Sequence, residues 1–171
     1  AKAQIVYDAL AGVPTPPASV SAFGDVDAST ADASSYAFND MDCVLNEDGH
    51  IVVAVGIRAA ATRTISNFTI NGVAATELFV ANNGGTTVAF FIAPAPAGTT
   101  QADVAFDLSD VGVRCGCTVW PVTGLLYPTQ AVKRLSATSA SVSMDIPKDG
   151  SLFAATLAGV SGASTCTWTG V

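Results

Sequence analysis

Residues 51–57 read Ile-Val-Val-Ala-Val-Gly-Ile, and this apolar run decides the fold class. The run is far shorter than the roughly 20 apolar residues that cross a bilayer. Valine and isoleucine, which are branched at Cβ, favour extended strands. A strand that is apolar at nearly every position is typically covered on both faces or contacts a neighbouring subunit. We therefore expect residues 50–58 to anchor the core of a sheet.

Further runs rich in Val, Ile, Phe and Thr follow at intervals of about ten residues, separated by Gly, Asn, Pro or Asp. Apolar residues alternate with polar or small ones at Val104, Phe106 and Leu108, which predicts a strand with one buried face. The pattern predicts an all-β fold without amphipathic helices, an antiparallel β-sandwich of immunoglobulin-like or jelly-roll-like type. The predicted strands are Tyr36–Phe38, His50–Arg58, Ser66–Ile70, Val73–Val80, Thr86–Ala93, Ala102–Leu108, Val113–Val122, Ser141–Ile146, Leu152–Val160 and Thr165–Thr169.

Turn residues support these strands independently. Asn71-Gly72 predicts a tight hairpin, because both residues tolerate the positive φ angles of a primed turn. Residues 82–85 (Asn-Asn-Gly-Gly) and 148–150 (Lys-Asp-Gly) predict two more hairpins. Pro94 and Pro96 lack the amide hydrogen that a sheet interior uses, so they should end one strand and lead to the next.

The composition indicates a surface of small, neutral side chains that suits packing against neighbours. Charged residues make up 12% of the chain, whereas Ala, Gly, Ser and Thr fill 77 of the 171 positions. The net charge of −7 comes entirely from residues 1–50, which hold eight acids against Lys2 alone. Residues 1–34 are acidic and contain prolines, so they should form an extended N-terminal arm. Residues 35–171 should form the β-sandwich domain.

The charge pattern also argues against several partners. Nucleic-acid phosphates require clustered basic residues, and Lys133-Arg134 is the only adjacent basic pair, so we expect no nucleic acid. The acids between Asp25 and Asp42 do not follow the spacing of a calcium loop, and they predict a solvated acidic surface. We expect no metal, no cofactor and no membrane contact.

Four cysteines, Cys43, Cys115, Cys117 and Cys166, allow buried thiols, a disulfide or a metal site. Residues 1–4 open no secretion signal, which favours reduced thiols. The spacing of Cys115 and Cys117 is not that of structural zinc, and in a strand their side chains should share one face. We favour buried thiols, with a disulfide or a metal site as the alternatives.

The remaining polar and aromatic candidates have simpler structural explanations. His50, the only histidine, follows a turn and should form hydrogen bonds at its edge rather than act as a base. Asp107 and Asp110 are the nearest pair of carboxylates, and their spacing indicates a turn that ends a strand. We therefore expect a protein that is not an enzyme.

Two further residues are interpreted as parts of strands. Trp120 lies in an apolar strand and should be in the core, although with Trp168 it would suit a carbohydrate-stacking platform. Asn67 formally matches a glycosylation acceptor, and we treat it as an ordinary strand residue.

Several short motifs occur in order along residues 35–171. They are Gly-Ile-Arg at 56–58, Arg-Thr-Ile-Ser at 63–66, Ile-x-Gly-Val-Ala-Ala-Thr at 70–76, Pro-x-Gly-Thr-Thr at 96–100, Val-Trp-x-Val-Thr-Gly-Leu at 119–125, Ile-Pro-x-x-Gly at 146–150 and Thr-Trp-Thr-Gly at 167–170. In this pattern the chain resembles the small β-sandwich proteins found among structural genes of tailed bacteriophages and prophages. The Gly-Val-Ala-Ala-Thr hairpin also resembles immunoglobulin-like repeats of bacterial surface proteins.

The resemblance implies a virion structural protein, assembled in the cytoplasm of the bacterial host. Within that class we expect a capsid decoration or cement protein on the outer shell, with a tail, spike or fibre component as the alternative. Its partners would be the major capsid protein or other virion subunits, and copies of itself. A carbohydrate-binding or bacterial surface adhesion module and a polysaccharide hydrolase are the rivals from other classes.

The chain departs from the resemblance at both ends. The acidic arm has no counterpart in it, and further strands would be expected after Thr167-Trp168-Thr169-Gly170. We therefore expect an open sheet edge that the arm or a neighbouring subunit covers. The candidate assembly contacts are Pro14, Pro16, Pro17, Phe23, Asp25, Asp27, Asp32, Asn82, Asn83, Lys148 and Asp149.

Overall fold

The computed structural model describes residues 19–20 and 24–125, with side chains from residue 24 onward. Within these ranges every regular element is a strand, which confirms the all-β prediction for this part of the chain. The predicted strands at 141–146, 152–160 and 165–169 and the turn at 148–150 lie outside the described residues. The strands are β1 (Ser19–Val20), β2 (Val26–Ser29), β3 (Ala33–Asp42), β4 (Gly49–Arg58), β5 (Ile65–Ile70), β6 (Val73–Ala74), β7 (Thr76–Asn83), β8 (Thr86–Ala95), β9 (Gln101–Gly112) and β10 (Arg114–Thr123).

The strands form two antiparallel sheets. In the six-stranded sheet the order is β1-β10-β4-β8-β7, and β2 also pairs with β10. The four-stranded sheet has the order β3-β9-β5-β6. The two sheets pack face to face, as in a sandwich, and a single apolar cluster with side chains from both fills the space between them.

Strand β4 lies at the centre of the larger sheet, between β10 and β8. All five residues from Ile51 to Val55 are buried, so both faces of the strand are covered. This confirms the prediction drawn from the unbroken apolar run. Ile51, Val53 and Val55 point toward the smaller sheet, whereas Val52 and Ala54 belong to a second cluster on the opposite face.

Aromatic rings connect the two sheets through the core. Phe68 of β5 stacks on Phe91 of β8, with ring centroids 3.8 Å apart and planes 11° apart. The same ring lies 5.1 Å from Phe106 of β9, which in turn lies 5.8 Å from Tyr36 of β3. Stacking between aromatic rings adds to the hydrophobic gain of burying them.

The predicted hairpins at residues 71–72 and 82–85 are confirmed. Asn71 and Gly72 have φ angles of 52° and 74°, as a primed turn between β5 and β6 requires. Gly84, with φ of 58°, closes the turn between β7 and β8. At both turns glycine occupies the position where a side chain would be strained.

Residues expected in the acidic arm contribute strands to both sheets. β1 and β2 pair with successive parts of one edge of β10, with Val20 opposite Val122 and Val26 opposite Thr118. Their backbone thereby satisfies groups on β10 that would otherwise face solvent. β3 begins at Ala33 and extends well beyond the predicted Tyr36–Phe38, because a bulge before Met41 lets the strand continue to Asp42.

Candidate assembly surface

All three basic residues in the described ranges lie at one end of the sandwich. β4 ends at Arg58, β10 begins at Arg114 directly opposite it, and Arg63 lies in the connection from β4 to β5. We call this the arginine end, defined by Arg58, Arg63 and Arg114. The turns from β2 to β3, from β7 to β8 and from β9 to β10 lie at the same end, because the strands are antiparallel.

Arg58 and Arg114 are cross-strand neighbours of like charge. They occupy directly opposed positions in the ladder between β4 and β10, and both side chains are exposed. Neither forms an ion pair within the described part of the chain. Like charges in opposed positions destabilise an antiparallel pair. The pair therefore presents two exposed positive charges side by side at this end of the sandwich.

Arg63 differs from this pair because its guanidinium group is used internally. Its Nε donates to the carbonyl of Val111 at 3.0 Å, and Nη2 lies 3.2 Å from a carboxylate oxygen of Asp110. These contacts fix the connection from β4 to β5 against the end of β9. Arg63 is thus a structural residue of the arginine end.

The tip between β7 and β8 is held against the connection from β4 to β5. Ala59 donates its amide to the carbonyl of Gly85 at 2.7 Å, and Thr62 Oγ1 donates to the carbonyl of Gly84, also at 2.7 Å. A Cβ on Gly85 would lie 2.0 Å from the carbonyl oxygen of Ala59, so only glycine fits. The tip is therefore a fixed part of the surface at the arginine end.

The opposite end of the sandwich is acidic. Asp40 and Asp42 end β3, Asp103 lies near the start of β9, and Glu47 and Asp48 immediately precede β4. These five carboxylates define the carboxylate end, and no basic residue of the described ranges lies among them. Two of them also bind backbone: Asp103 accepts the amide of Asp40 at 2.9 Å, and Asp48 accepts that of Ala97 at 2.8 Å.

The structure places three of the predicted assembly contacts at the same end of the sandwich. Asp32, Asn82 and Asn83 lie at the arginine end, where the Asn82 amide oxygen accepts a hydrogen bond from the Thr87 hydroxyl at 2.6 Å. Asp27 lies instead on β2, opposite Cys117 of β10, and Asp25 immediately precedes β2, where its carboxylate accepts the amide of Asp42 at 3.3 Å. The other predicted contacts are outside the described residues: Pro14, Pro16, Pro17, Phe23, Lys148 and Asp149.

The described cysteines are buried free thiols. Cys43, Cys115 and Cys117 lie in the core between the sheets, so the two cysteines of β10 share one face as predicted. Burial raises the pKa of Cys43 to about 11 and that of Cys115 to about 12, and it raises the pKa of Cys117 as well. Because thiolates are the reactive form, these side chains are chemically inert. Cys166 lies outside the described residues.

His50 differs from the expectation of a hydrogen bond at a turn edge. Its Nδ1 is shielded from solvent and has no hydrogen-bond partner within residues 24–125. Desolvation lowers the pKa of the imidazole, which favours the neutral form. Nowhere in the described ranges do three or more His, Cys, Asp or Glu side chains form a group able to hold a metal ion.

Asp107 is in the middle of β9 and not in a strand-ending turn, because β9 continues to Gly112. Its carboxylate accepts hydrogen bonds from Asn67 Nδ2 at 2.8 Å and from Ser35 Oγ at 2.6 Å, and these bonds lower its pKa. A carboxyl group held ionised in this way is unsuited to donate a proton as a general acid.

Asn67 is not an ordinary strand residue. It has a φ of 52° and lies where the register between β5 and β9 shifts. Asparagine tolerates this left-handed conformation better than most residues do. The bulge directs the Asn67 amide toward Asp107, a contact that the linear order of residues does not reveal.

Trp120 was predicted to lie in the core, but it is not part of the cluster between the two sheets. It lies on the outer face of the six-stranded sheet. It is partly buried there, beside Phe90, with ring centroids 6.4 Å apart. Its proposed companion in a carbohydrate platform, Trp168, lies outside the described residues.

Sequence reasoning missed Arg58 and Arg114 as a pair. Each arginine is visible at the end of an apolar run, but their juxtaposition depends on the register of β4 against β10.

The described part of the chain contains no helix that is long and apolar enough to span a membrane. No known protein family, curated protein or solved structure matches the chain.

Proposed function

We propose that the chain is a virion structural protein of a tailed bacteriophage, and specifically a decoration or cement protein on the outer capsid shell. In this proposal it contacts the major capsid protein and further copies of itself, and it is assembled in the host cytoplasm. The motifs along residues 35–171 support the assignment through their resemblance to virion sandwich proteins. The observation that carries the assembly role is the separation of charge between the two ends of the sandwich.

Opposite charges at opposite ends favour head-to-tail contact between copies or with an acidic subunit. The arginine end carries three basic residues, and two acids accompany them, Asp32 and Asp110. The carboxylate end carries five acids. Complementary potentials of this kind steer association and fix orientation more than they add affinity. A heterologous contact between two different ends closes into a ring or continues as an array, according to its rotation.

The Arg58 and Arg114 pair fits a contact residue better than a stabilising one. An opposed pair of like charges is unfavourable within the monomer by a few tenths to about 1 kcal/mol. A carboxylate from a neighbouring subunit would replace this repulsion with a charge-assisted hydrogen bond to each guanidinium. The pair is therefore expected to weaken the isolated domain slightly and to strengthen its association.

A tail, spike or fibre component is the second candidate, because a head-to-tail contact that closes into a ring would suit a tail as well as a shell. The proposal retains the immunoglobulin-like or jelly-roll-like type of the sandwich and the acidic arm of residues 1–34. Purified particles distinguish the two candidates, since a regular array on the head supports decoration and a ring on the tail supports the alternative. Absence from every particle would contradict the whole assignment.

The assembly contact is tested by exchanging charges at the two ends. We expect R58E/R114E to abolish self-association in sedimentation velocity at low salt, and D42K/E47K to do the same. Within the described residues the side chains of Asp42 and Glu47 form no hydrogen bond or ion pair that the change would break. A mixture of the two variants should recover association, because the acids introduced in one variant would face the lysines introduced in the other.

Two controls separate charge from misfolding. The variant R58K/R114K keeps both charges and should associate as the natural chain does. High salt should weaken every contact of this type, since the Debye length is only about 10 Å at 0.1 M. Association that is unchanged in R58E/R114E, or a mixture that fails to recover it, would refute the head-to-tail contact.

A further inference from the structure

The outer edge of strand β3 carries backbone groups that no described strand uses. β3 is the last strand of the four-stranded sheet, and among the described strands it pairs with β9 alone. Between Ser35 and Phe38 its register against β9 is unbroken. A sheet edge of this kind presents a row of unpaired N–H and C=O groups, to which a further strand can add.

The hydrogen bonds of β9 show which of its backbone groups face β3. The carbonyl of Asp103 accepts the amide of Asn71 at 2.8 Å, and the amide of Asp103 donates to the Asn71 side-chain oxygen at 2.6 Å. The backbone of Asp103 therefore faces the β5 side of the sheet. Successive residues of a strand direct their backbone groups to opposite sides, so Val104 and Phe106 face β3.

Within β3 the backbone groups of Ser35 and Ala37 consequently point away from β9. Tyr36 and Phe38 stand opposite the two residues of β9 that face β3, and they take up the hydrogen bonds to that strand. Ser35 and Ala37 alternate with them, and both are exposed. The side chains of Tyr36 and Phe38 are buried in the core, so the inner face of the strand is fixed. An added strand would find free backbone groups at Ser35 and Ala37.

Carboxylates flank one end of this edge, and no described basic residue accompanies them. Asp40 and Asp42 lie in the last part of β3, and both are exposed. The Asp25 carboxylate lies beside them and accepts the amide of Asp42 at 3.3 Å. Residues 24–57 contain no lysine or arginine, and the arginines of the described ranges lie at the other end of the sandwich. The local field therefore favours a cationic partner.

We propose that the outer edge of β3 is the docking site for an extended, basic segment of another protein, which adds a fifth strand to the four-stranded sheet. The main chain of the segment bonds to Ser35 and Ala37, and its lysine or arginine side chains approach Asp40 and Asp42. The small outward side chains of Ser35 and Ala37 leave room for larger ones on the added strand. The site is separate from the arginine end and independent of the virion assignment.

A second copy of the chain suits this edge less well than a basic segment does. Two β3 edges carry the same acids, so their pairing brings no opposite charges together. An antiparallel pair centred on Ala37 would place Asp42 opposite Asp32 of the other copy. Like charges in opposed positions destabilise a strand pair. The acids thus disfavour pairing between copies and favour a basic strand.

Amide hydrogen exchange of the full chain, measured by NMR with solvent-saturation transfer, tests the proposal. The probe is the peptide acetyl-Lys-Lys-Thr-Val-Thr-Val-Thr-Lys-Lys-amide, and the control peptide has Glu in place of each Lys. In the free protein the amides of Ser35 and Ala37 should exchange fast, whereas those of Tyr36 and Phe38 should be too slow to detect. With the basic peptide at about ten times its dissociation constant, exchange at Ser35 and Ala37 should slow about tenfold, because only the free fraction exchanges.

Two variants separate backbone pairing from charge. Ala37→Pro removes an amide hydrogen that β9 does not use, so the sandwich should fold while peptide binding weakens at least about tenfold. Ala37→Ser keeps the amide and should bind as the natural chain does. D40N/D42N removes two charges and should weaken binding of the basic peptide, and asparagine tolerates the left-handed φ of 57° at Asp40. Circular dichroism checks the fold of each variant, and the charge variant tests the site even if the proline variant does not fold.

Four results would overturn the proposal. Slow exchange at Ser35 and Ala37 in the free protein at every concentration would show that the chain itself already covers the edge. Slow exchange that appears only at high protein concentration would indicate a second copy. Equal protection by the acidic peptide would refute the basic character of the partner, and no protection by either peptide would refute the docking site.

Discussion

Two adjacent valines of β4 provide a matched test of the covered outer face. Val52 is 1% exposed and belongs to the outer cluster, whereas Val53 is 0% exposed and lies between the two sheets. Both lie in the middle of the same strand and pair with β10 and β8. The substitutions Val52→Ala and Val53→Ala therefore remove the same atoms, at the same depth in the sheet, from opposite faces.

The expected loss follows from the buried area that each substitution removes. Val→Ala deletes two methyl groups, worth about 0.8 kcal/mol each when they are fully buried. Incomplete collapse of the cavity raises the total to roughly 1.5–2.5 kcal/mol. The loss of strand propensity is the same at both positions, so it cancels in the comparison. If the outer face is covered, the two free energies of unfolding should fall by similar amounts.

Urea denaturation of the full-length variants, followed by circular dichroism, measures both losses. Equal losses that do not depend on protein concentration are the expected result. If Val52→Ala lowers the free energy of unfolding by less than half as much as Val53→Ala, the covered face is refuted. The side chain of Val52 would then be hydrated in the folded state as well as in the unfolded state. A Val52→Ala loss that grows with concentration would instead indicate burial against a second copy.

Three further outcomes follow from the core and its titratable groups. Phe68→Ala should cost about 3–5 kcal/mol in urea denaturation, because it empties the site between the sheets and breaks the stack on Phe91, whereas Phe68→Leu should cost clearly less. Burial lowers the pKa of His50 in the folded chain. The contribution of this histidine to stability is therefore fully present above pH 6.5 and is lost as the pH falls through the lowered pKa. The free energy of unfolding should therefore fall more steeply below about pH 6.5 in the natural chain than in H50Q, and parallel pH profiles would contradict this. Cys43 and Cys115 should resist iodoacetamide at mildly alkaline pH until the chain is unfolded, as mass spectrometry of their peptides will show, and rapid native labelling would disprove their burial.

Much of the strand pattern from β4 to β10 is predictable because its signals are local. Asn71-Gly72 encodes a turn through the φ angles that the two residues tolerate, and Val104, Phe106 and Leu108 encode a buried face through alternation. β2 carries no such signal in Val-Asp-Ala-Ser, and it becomes a strand because the edge of β10 supplies hydrogen-bond partners. Tertiary pairing of this kind overrides weak local preference.

The candidate assembly surface was less predictable. The hairpin tip at residues 82–85 and Asp32 were identified as exposed polar positions, and the structure brings them to one end. Arg58 and Arg114 are 56 positions apart in the sequence, and only the antiparallel register places them side by side. The same limit applies to the Asn67 amide and the Asp107 carboxylate, which a bulge brings within 2.8 Å.

The sequence by itself determined that the chain forms short antiparallel strands, that β4 is covered on both faces, and that acids predominate in the first 50 residues. These properties depend on the conformational preferences and hydrophobic periodicity of residues close together in the chain. Only the tertiary structure decided which strands pair, how charge separates between the two ends, and which outer face is apolar. Those properties arise from contacts between residues tens of positions apart, whose pairing no local preference specifies.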